Sequence, residues 1–215
     1  TKDPEFRFFM SIQILLIVAC TLVMISHQYF DSSWQDFEQV VFQAVSISTT
    51  TGYTTSNFAE WPSFVPMLLI IASFIGGCAG SVGGGLRVAR ILVLYLQGAR
   101  ELKRFVHPNL VYPIKWGKNV LDERVIGSIW AFFSAYLLVF TICLLSVIAC
   151  GVAPFDAFNA VLASINNLGP GLGSVSSNMT AMPDSAKWVL TIAMVCGRLE
   201  IFTLLALFTP AFWKE

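Results

Sequence analysis

Ser48-Thr49-Thr50-Thr51-Gly52-Tyr53-Thr54-Thr55 is a polar stretch with one glycine, set in a strongly apolar background. A second polar stretch, Ile165-Asn166-Asn167-Leu168-Gly169-Pro170-Gly171-Leu172, follows it; Gly52 and Gly169 lie 117 positions apart. A short apolar helix is predicted before each stretch, and long apolar segments flank both. Non-helical backbone inside a bilayer survives only where protein buries it or a water-filled cavity takes it up. The two stretches therefore predict hairpins that line a polar path through a membrane.

The amino-acid composition is typical of an integral membrane protein. Of 215 residues, 56% are hydrophobic and only 12% are charged, whereas a soluble domain has about 25% charged residues. The 18 Phe, 6 Trp and 5 Tyr suit the aromatic belts of a lipid-facing surface. The formal net charge is zero, so nothing in the composition predicts nucleic-acid binding. The five cysteines form no CxxC pair, and they predict neither a disulfide framework nor a metal site.

Long apolar segments predict helices that cross the bilayer, since a span needs about 20 apolar residues. Three segments meet this length: 8–30, 125–150 and 186–208. Two shorter apolar helices are predicted at 34–48 and 155–166, each leading directly into one of the polar stretches. They are too short to cross the membrane and are therefore predicted to be re-entrant.

The chain accordingly divides into two similar units, residues 1–106 and 107–215, each predicted to be helix, re-entrant helix, hairpin and helix. A short internal match supports a duplication: Phe42-x-Ala44-Val45-x-x-Ser48 is similar to Phe158-x-Ala160-Val161-x-x-Ser164. The offset of this match is 116, which differs by one from the offset of the two glycines.

The charge distribution predicts the orientation of the chain. Eight basic residues cluster between the two hairpin-containing segments: Arg87, Arg90, Arg100, Lys103, Arg104, Lys115, Lys118 and Arg124. The segments 30–66 and 151–187 carry six acidic residues against one base, Lys187. Because basic loops stay in the cytoplasm, we expect the hairpins to face outward. An acidic outer mouth would raise the local cation concentration, although ordinary solvated helix caps explain any single acid equally well.

Six glycines within residues 76–85 interrupt the apolar pattern of the first unit. Each glycine inside a helix costs about 1 kcal/mol relative to alanine, so we expect an unwound segment inside the membrane. Gly76-x-x-x-Gly80 could instead form a helix-packing seam. A phosphate-binding loop is excluded, because no GxxxxGK[ST] pattern is present.

Arg198 lies near the middle of the last apolar segment. A charge there costs at least about 2.5 kcal/mol on insertion scales, so the side chain should face a cavity or a partner. Glu200 is two residues away and would not share its helix face. We expect Ser81 or carbonyl groups of the glycine-rich segment as partners; a structural ion pair with another helix is the alternative. His27 and His107 flank helix ends and are assigned no role.

Four features in this order resemble the bacterial TrkH potassium-uptake subunits of the Trk/Ktr/HKT superfamily. They are Thr50-Thr51-Gly52-Tyr53, which is similar to a potassium-channel filter, the glycine-rich segment 76–85, the polar stretch 166–173, and Gly197-Arg198-Leu199-Glu200-Ile201-Phe202. The resemblance covers nearly the whole chain. It implies an all-α integral membrane protein built from helix–pore-helix–filter-loop–helix units. This chain would supply the last two of four such units, half of a pseudo-fourfold, potassium-channel-like pore, with the first two units absent.

The resemblance implies a potassium filter formed by the two hairpins, where backbone carbonyls replace the water shell of the ion. Gly52 and Gly169 would hold backbone conformations that a side chain forbids. The remaining filter residues would be Thr50, Thr51, Tyr53, Thr54, Asn167, Leu168, Pro170 and Gly171. The contributions would come from the main chain, apart from the Thr50 hydroxyl and the Asn167 amide. The gate beneath the filter would comprise Gly76, Gly77, Gly80, Ser81, Gly83, Gly84, Gly85 and Arg198.

The resemblance further implies potassium uptake, with the ion as substrate and no cofactor in this chain. The expected partners are the lipid bilayer, the missing N-terminal half, a second copy in a homodimer, and a cytoplasmic nucleotide-binding TrkA-like regulatory ring. The expected location is the bacterial inner membrane, with several spans and the filter side outward.

Two alternatives to potassium uptake stay open. One is a sodium or weakly selective cation pathway, since the second hairpin has Asn167 for Thr and Pro170 for Tyr. The other is an intramembrane serine protease that uses the Gly80-Ser81-Val82-Gly83 stretch. That chemistry needs a base within hydrogen-bond reach of Ser81, and both histidines are predicted at membrane edges. We therefore expect a protein that is not an enzyme.

Overall fold

The computed structural model describes residues 3–29, 34–78, 80, 81, 83–107, 112–117, 119–176 and 178–199. These residues form seven α-helices and one two-stranded antiparallel sheet. In chain order the elements are α1 (Pro4–Ser26), α2 (Trp34–Ser48), α3 (Phe64–Ala72), α4 (Val88–Val106), β1 (Lys115–Trp116), β2 (Asn119–Val120), α5 (Glu123–Ala149), α6 (Pro154–Ile165) and α7 (Asp184–Arg198). Of the span predicted at 186–208, residues 186–198 are helical within α7, and the residues from Glu200 onward lie outside the described part of the chain.

Local sequence signals set where the long helices begin. The Asp3 side chain accepts a hydrogen bond from the Glu5 backbone N–H (3.1 Å), and proline occupies the first position of α1. The Asp122 side chain caps α5 in the same way, at 3.2 Å from the Arg124 backbone nitrogen. The Asp3 cap lets α1 begin at Pro4, four residues before the predicted boundary, because it satisfies a backbone N–H group ahead of the apolar run.

Two helices of the described chain, α1 and α5, are long and apolar enough to cross a membrane. At 1.5 Å per residue they are about 34 and about 40 Å long, compared with a hydrocarbon thickness of about 30 Å. Only 22% of the most apolar window of each helix is buried inside the chain. Large side chains such as Leu15 and Leu22 are therefore exposed on α1. These apolar faces suit contact with lipid or with further protein.

The apolar residues pack into four clusters, two of them large. The first combines α1, α2 and α3, with Leu16, Ile47 and Leu69 among its buried residues, and also takes in Leu162 and Leu168 of the second half. The second combines α5, α6 and α7, with Val147 and Leu190 among its buried residues. A third cluster joins the two halves through Leu86, Phe132, Tyr136, Ile165 and Cys196. A fourth cluster, of Val93, Ile114 and Ile126, packs α4 and the region of the sheet on α5, and thus spans the predicted boundary at 106/107.

The glycine-rich segment between α3 and α4 is not helical in its described residues. Two hydrogen bonds close its base: the Gly76 N–H donates to the Leu86 carbonyl (2.8 Å), and the Leu86 N–H donates to the Phe74 carbonyl (2.9 Å). Ile75 and Leu86 form an isolated parallel bridge there. The segment is thus a loop with a fixed base between two helices. A packing seam on a continuous helix, the alternative considered for Gly76 and Gly80, is wrong for this segment.

Candidate functional site

The two polar stretches have the same backbone conformation. Thr50 and Asn167 both have positive φ, at 57° and 51°, and so do Gly52 and Gly169, at 80° and 95°. Left-handed backbone is uncommon for residues other than glycine. Two stretches that share this rare pattern at equivalent positions are therefore structural copies of one hairpin.

The hydrogen bonds between each short helix and its hairpin fix the equivalence of the two units. After α2, the N–H groups of Thr50 and Thr51 donate to the carbonyls of Ile47 (3.1 Å) and Ser46 (2.8 Å). After α6, four residues 117 positions further on repeat this pattern: Asn167 to Ser164 at 3.0 Å and Leu168 to Ala163 at 2.8 Å. The similarity of the helix sequences at an offset of 116 is thus one residue out of register with the geometry.

The two hairpins lie directly against each other. A Cβ atom on Gly52 would overlap the Leu168 carbonyl oxygen and would stand 3.5 Å from Cδ of Pro170. Glycine is thus required at position 52 both by its positive φ and by the close approach. Gly52 and Gly169 also line one open cavity of about 860 Å³, together with Thr54, Thr55, Ser56, Asn57, Phe58, Pro170, Ser176, Asn178, Met179 and Met194.

The structure separates the predicted filter residues into different environments. Gly52, Thr54, Gly169 and Pro170 line the open cavity. Leu168 does not line it with its side chain, which is buried in the first apolar cluster.

Side chains tie other parts of the hairpins to the helices around them. The Tyr53 ring is 73% exposed, and its carbonyl accepts a hydrogen bond from the Ser46 hydroxyl on α2 (2.6 Å). The Asn167 amide nitrogen donates to the Met194 carbonyl on α7 (3.2 Å). The Gly171 N–H donates to the Val175 carbonyl (3.1 Å). These three hydrogen bonds tie each hairpin to its own half of the chain.

The glycine-rich segment contacts both hairpins where they begin, directly after α2 and α6. The Gly84 N–H donates to the Thr50 hydroxyl oxygen at 3.1 Å. A Cβ atom on Gly83 would lie 2.9 Å from the same hydroxyl, and one on Gly84 would overlap the Asn166 carbonyl oxygen. Side chains at these two glycines would therefore push the segment away from the hairpins. The segment therefore packs against both hairpins at Thr50 and Asn166.

A second, small cavity of about 100 Å³ lies beside the glycine-rich segment. Its lining brings together Ser81, Gly83, Gly85, Arg87, Arg90, Phe132, Tyr136, Cys196, Gly197 and Arg198. Arg198 and Ser81, which the sequence suggested as partners, thus face the same cavity. The other predicted gate residues Gly76, Gly77, Gly80 and Gly84 belong to the segment but not to this lining; Gly76 is part of its fixed base. A Cβ atom on Gly197 would overlap the Ile165 carbonyl oxygen, so α7 packs tightly on the end of α6.

Sequence reasoning missed a buried polar cluster centred on Asn166. The Tyr136 hydroxyl donates to Oδ1 of Asn166 (2.7 Å), and the Asn166 amide nitrogen donates to Oγ of Ser73 (3.0 Å). Ser73 in turn donates to the Ile70 carbonyl (2.6 Å). Asn166 and Ser73 are fully buried and Tyr136 is 3% exposed. The Asn166 side chain thus links the second hairpin to α5 and to the end of α3. The sequence signal that could have indicated this cluster was a polar residue within each apolar segment.

The environment of Ser81 gives no support to a serine protease. The Ser81 hydroxyl accepts a hydrogen bond from the Gly83 N–H at 3.3 Å. The described lining of its cavity contains arginine, aromatic and cysteine side chains but no histidine. His27 and His107 follow the last residues of α1 and α4, which agrees with their predicted places at helix ends.

Comparison with known proteins gives a consistent result over the whole chain. The family model TrkH, described as a cation transport protein, matches residues 1–215. The Trk system potassium uptake protein TrkH of Vibrio parahaemolyticus is 57% identical over 214 residues, which cover 100% of this chain and 44% of that protein. TrkH of Escherichia coli strain K12 is 56% identical with the same coverage, and TrkG of that strain is 34% identical over 218 residues.

A solved structure shows the same similarity. The crystal structure of the potassium transporter TrkH from Vibrio parahaemolyticus matches with a TM-score of 0.93 at 57% sequence identity, covering 99% of this chain and 46% of that chain. The chain therefore spans less than half the length of the relatives that it matches.

Proposed function

The chain belongs to the TrkH family of cation transport proteins, and from this premise we propose that it takes part in potassium uptake across a cell membrane. The family resemblance inferred from the sequence is confirmed, and the relatives are named as potassium uptake proteins of a Trk system. The chain is accordingly a mostly helical membrane protein, and the names of its relatives indicate a transporter rather than an enzyme.

The observation that carries the proposal is the convergence of the two hairpins on one cavity. Each hairpin has two residues with left-handed backbone, Thr50 and Gly52 in the first and Asn167 and Gly169 in the second. At these residues the chain leaves the helical conformation of α2 or α6 and turns. The C-terminal end of a helix carries a partial negative charge of about 0.5 elementary charge. Because α2 and α6 both end directly before their hairpins, both helix ends would stabilise a cation held there. In this proposal the main-chain oxygens of Thr50, Thr51, Gly52 and their counterparts complete the coordination.

Not every predicted filter oxygen is equally available. The Tyr53 carbonyl already accepts a hydrogen bond from Ser46, which holds that end of the hairpin against α2. A carbonyl oxygen has a second lone pair, but its direction is set by the bond that it makes. Tyr53 would therefore contribute mainly to the shape of the hairpin. The innermost ligands would be Thr50 and, in the second hairpin, Asn167.

In this proposal the glycine-rich segment is the gate, which is supported by the close contacts of Gly83 and Gly84 with both hairpins. Arg198 would add an electrostatic barrier to the ion. At about 5 Å and an effective dielectric constant of 20, two unit positive charges repel each other by roughly 3 kcal/mol. A passing cation would thus need both the loop and the Arg198 side chain to move away, or the guanidinium to be screened by a partner.

The complete transporter would contain more than this chain. Two further hairpin units would close the ring, a second copy would form a homodimer, and a nucleotide-binding ring would contact the cytoplasmic side. The basic residues of α4 and of the first turn of α5, such as Arg104 and Arg124, support a cytoplasmic location for that side. The hairpins would then face outward from a bacterial inner membrane.

Potassium uptake into a transport-deficient host tests this function, with the full-length protein carrying Gly52→Ala. Alanine at a positive φ costs about 1–2 kcal/mol, and its Cβ atom would overlap the Leu168 carbonyl. We expect loss of uptake. Gly127→Ala is the matched control, because Gly127 lies in α5 with nothing within 4 Å of a Cβ atom. Normal potassium uptake by Gly52→Ala, at equal protein levels, would contradict the proposal.

A weakly selective cation pathway is the second candidate, favoured by the difference between the hairpins. The second hairpin places Pro170 at the cavity where the first has Tyr53, and Asn167 where the first has Thr50. Unequal ligands around one axis would hold a cation less symmetrically than four identical loops. Flux ratios of potassium, rubidium and sodium in purified vesicles separate the two functions: a strong preference for potassium and rubidium supports uptake of potassium, and near-equal fluxes support the alternative.

A further inference from the structure

The Thr50 side chain stands at the junction between the first hairpin and the glycine-rich segment. Its hydroxyl oxygen accepts a hydrogen bond from the Gly84 N–H at 3.1 Å, across 34 positions of sequence. The residue is 8% exposed. It therefore belongs at once to the proposed filter and to the contact surface of the proposed gate.

The backbone at Thr50 is unfavourable for its residue type. Its φ of 57° lies in the left-handed region, where a β-branched residue is an outlier and where strain persists only if the surroundings enforce it. Asn167 occupies the same position in the second hairpin, and asparagine tolerates this region far better. A threonine at the strained position is explained if its hydroxyl has a function that glycine or asparagine would not serve.

The loop occupies the space that a cation bound to this hydroxyl would need. A Cβ atom on Gly83 would be 2.9 Å from the Thr50 hydroxyl and 3.3 Å from the Thr49 carbonyl oxygen. The side-chain-free face of Gly83 thus lies next to both oxygens, and the Gly84 N–H is bonded to the Thr50 hydroxyl. The Gly84 N–H also points the positive end of its dipole at the hydroxyl, which is the orientation that repels a cation.

We infer that the Thr50 hydroxyl is a two-position latch, which binds either the Gly84 N–H of the closed segment or a cation at the innermost filter position, but not both. This inference rests on the proposed function and adds a regulatory element to it. Potassium that reaches the inner end of the filter competes with the segment for one oxygen. Filling of that position therefore favours release of the segment, so the transported ion promotes its own passage.

The construction of the segment allows such a movement. Its base is held by the Gly76–Leu86 and Leu86–Phe74 hydrogen bonds, whereas no atom of the described residues lies within 4 Å of a Cβ atom on Gly80. The segment can thus swing about a fixed base when the contact at Thr50 is lost. Because Gly83 and Gly84 have no side chains, the segment can pack closely against the hairpins again when it returns.

Thr50→Val tests the latch, because valine keeps the shape of threonine and removes the acceptor. In planar-bilayer recordings of the full-length protein, potassium is varied with choline replacing it at constant ionic strength. We expect the open fraction of the wild type to rise with potassium. In Thr50→Val it should be roughly 2- to 12-fold higher at low potassium, the factor of one net hydrogen bond, and independent of potassium. Thr50→Ser, which keeps the hydroxyl, should restore the wild-type dependence.

Two further variants keep the test decisive. Thr50→Gly removes the hydroxyl at a backbone conformation that glycine adopts without strain, so it replaces Thr50→Val if that protein fails to fold. Thr21→Val is the matched control, since the Thr21 hydroxyl donates to the Ile17 carbonyl within α1 (2.8 Å), away from both hairpins. An open fraction that is unchanged or lower without the Thr50 hydroxyl, or that still depends on potassium, overturns the latch. Absence of potassium-selective current in the wild type would instead overturn the proposed function, and the size of the single-channel current reports the filter separately from the open fraction.

Discussion

Tyr136→Phe removes one oxygen from the buried cluster that holds the second hairpin. The Tyr136 hydroxyl donates to Oδ1 of Asn166 at 2.7 Å, in a site where Tyr136 is 3% exposed and Asn166 is fully buried. Phenylalanine would leave Oδ1 without this donor, and a buried polar group that loses its partner costs about 1–3 kcal/mol. We therefore expect the free energy of unfolding of the full-length protein to fall by that amount.

A double-mutant cycle distinguishes this cause from a general loss of packing. Asn166→Leu alone should be similarly destabilising, because it leaves the Tyr136 hydroxyl buried without its acceptor. The double variant Tyr136→Phe with Asn166→Leu places apolar groups on both sides, so its loss should be smaller than the sum of the single losses by about 0.5–3 kcal/mol.

Denaturant unfolding in detergent measures all three variants. Tyr95→Phe, on the 66% exposed Tyr95 of α4, is the control and should change stability by no more than about 0.5 kcal/mol. Strict additivity of the two single changes, or a Tyr136→Phe protein as stable as the control, would show that the Tyr136–Asn166 bond does not stabilise the second hairpin.

Two other changes test the packing of the hairpins. Gly197→Ala should lower both stability and potassium flux, because its Cβ atom would overlap the Ile165 carbonyl oxygen. The control is Gly98→Ala, whose Cβ atom would have no described atom within 4 Å. Equal thermal unfolding midpoints of the two variants would count against a close contact between α7 and α6. Ser46→Ala removes the donor to the Tyr53 carbonyl and should cost about 0.5–1.5 kcal/mol while lowering the preference for rubidium over sodium; an unaltered flux ratio would show that this bond does not shape the filter.

The local features of the fold could be predicted from the sequence because each depends on a short pattern. The apolar runs indicated α1 and α5, and the glycines of 76–85 indicated an interrupted helix. The hairpins followed from polar residues in apolar surroundings. The boundaries were less accurate: α1 begins at Pro4 because a capping aspartate extends the helix beyond its apolar run.

Contacts between distant residues could not be predicted in the same way. The Asn166 cluster joins residues 30 and 93 positions apart, and no local pattern shows which polar side chains will meet. The left-handed backbone of Thr50 was also hidden, since threonine by itself favours extended structure. The internal repeat was detected one residue out of register with the hairpin hydrogen bonds, because the match rests on four identical residues, which are too few to fix the offset.

The short sheet before α5 was not predicted either. β1 and β2 have two residues each and turn at Gly117, whose φ is 61°. Two-residue strands have too few positions for an alternating pattern to appear. Packing of Ile114 against Val93 and Ile126 holds this region in place, which is again a contact between residues that are distant in sequence.

The location of a bound cation is the sharpest test of the proposed filter. Rubidium or thallium, soaked into crystals of the full-length protein, can be located by anomalous scattering. We expect a peak between the Gly52 and Gly169 hairpins, coordinated by their backbone oxygens, and no peak at the Thr50 hydroxyl while the glycine-rich segment is closed. Transport-competent protein whose cation peaks all lie elsewhere, with the space between Gly52 and Gly169 unoccupied, would contradict the proposed filter.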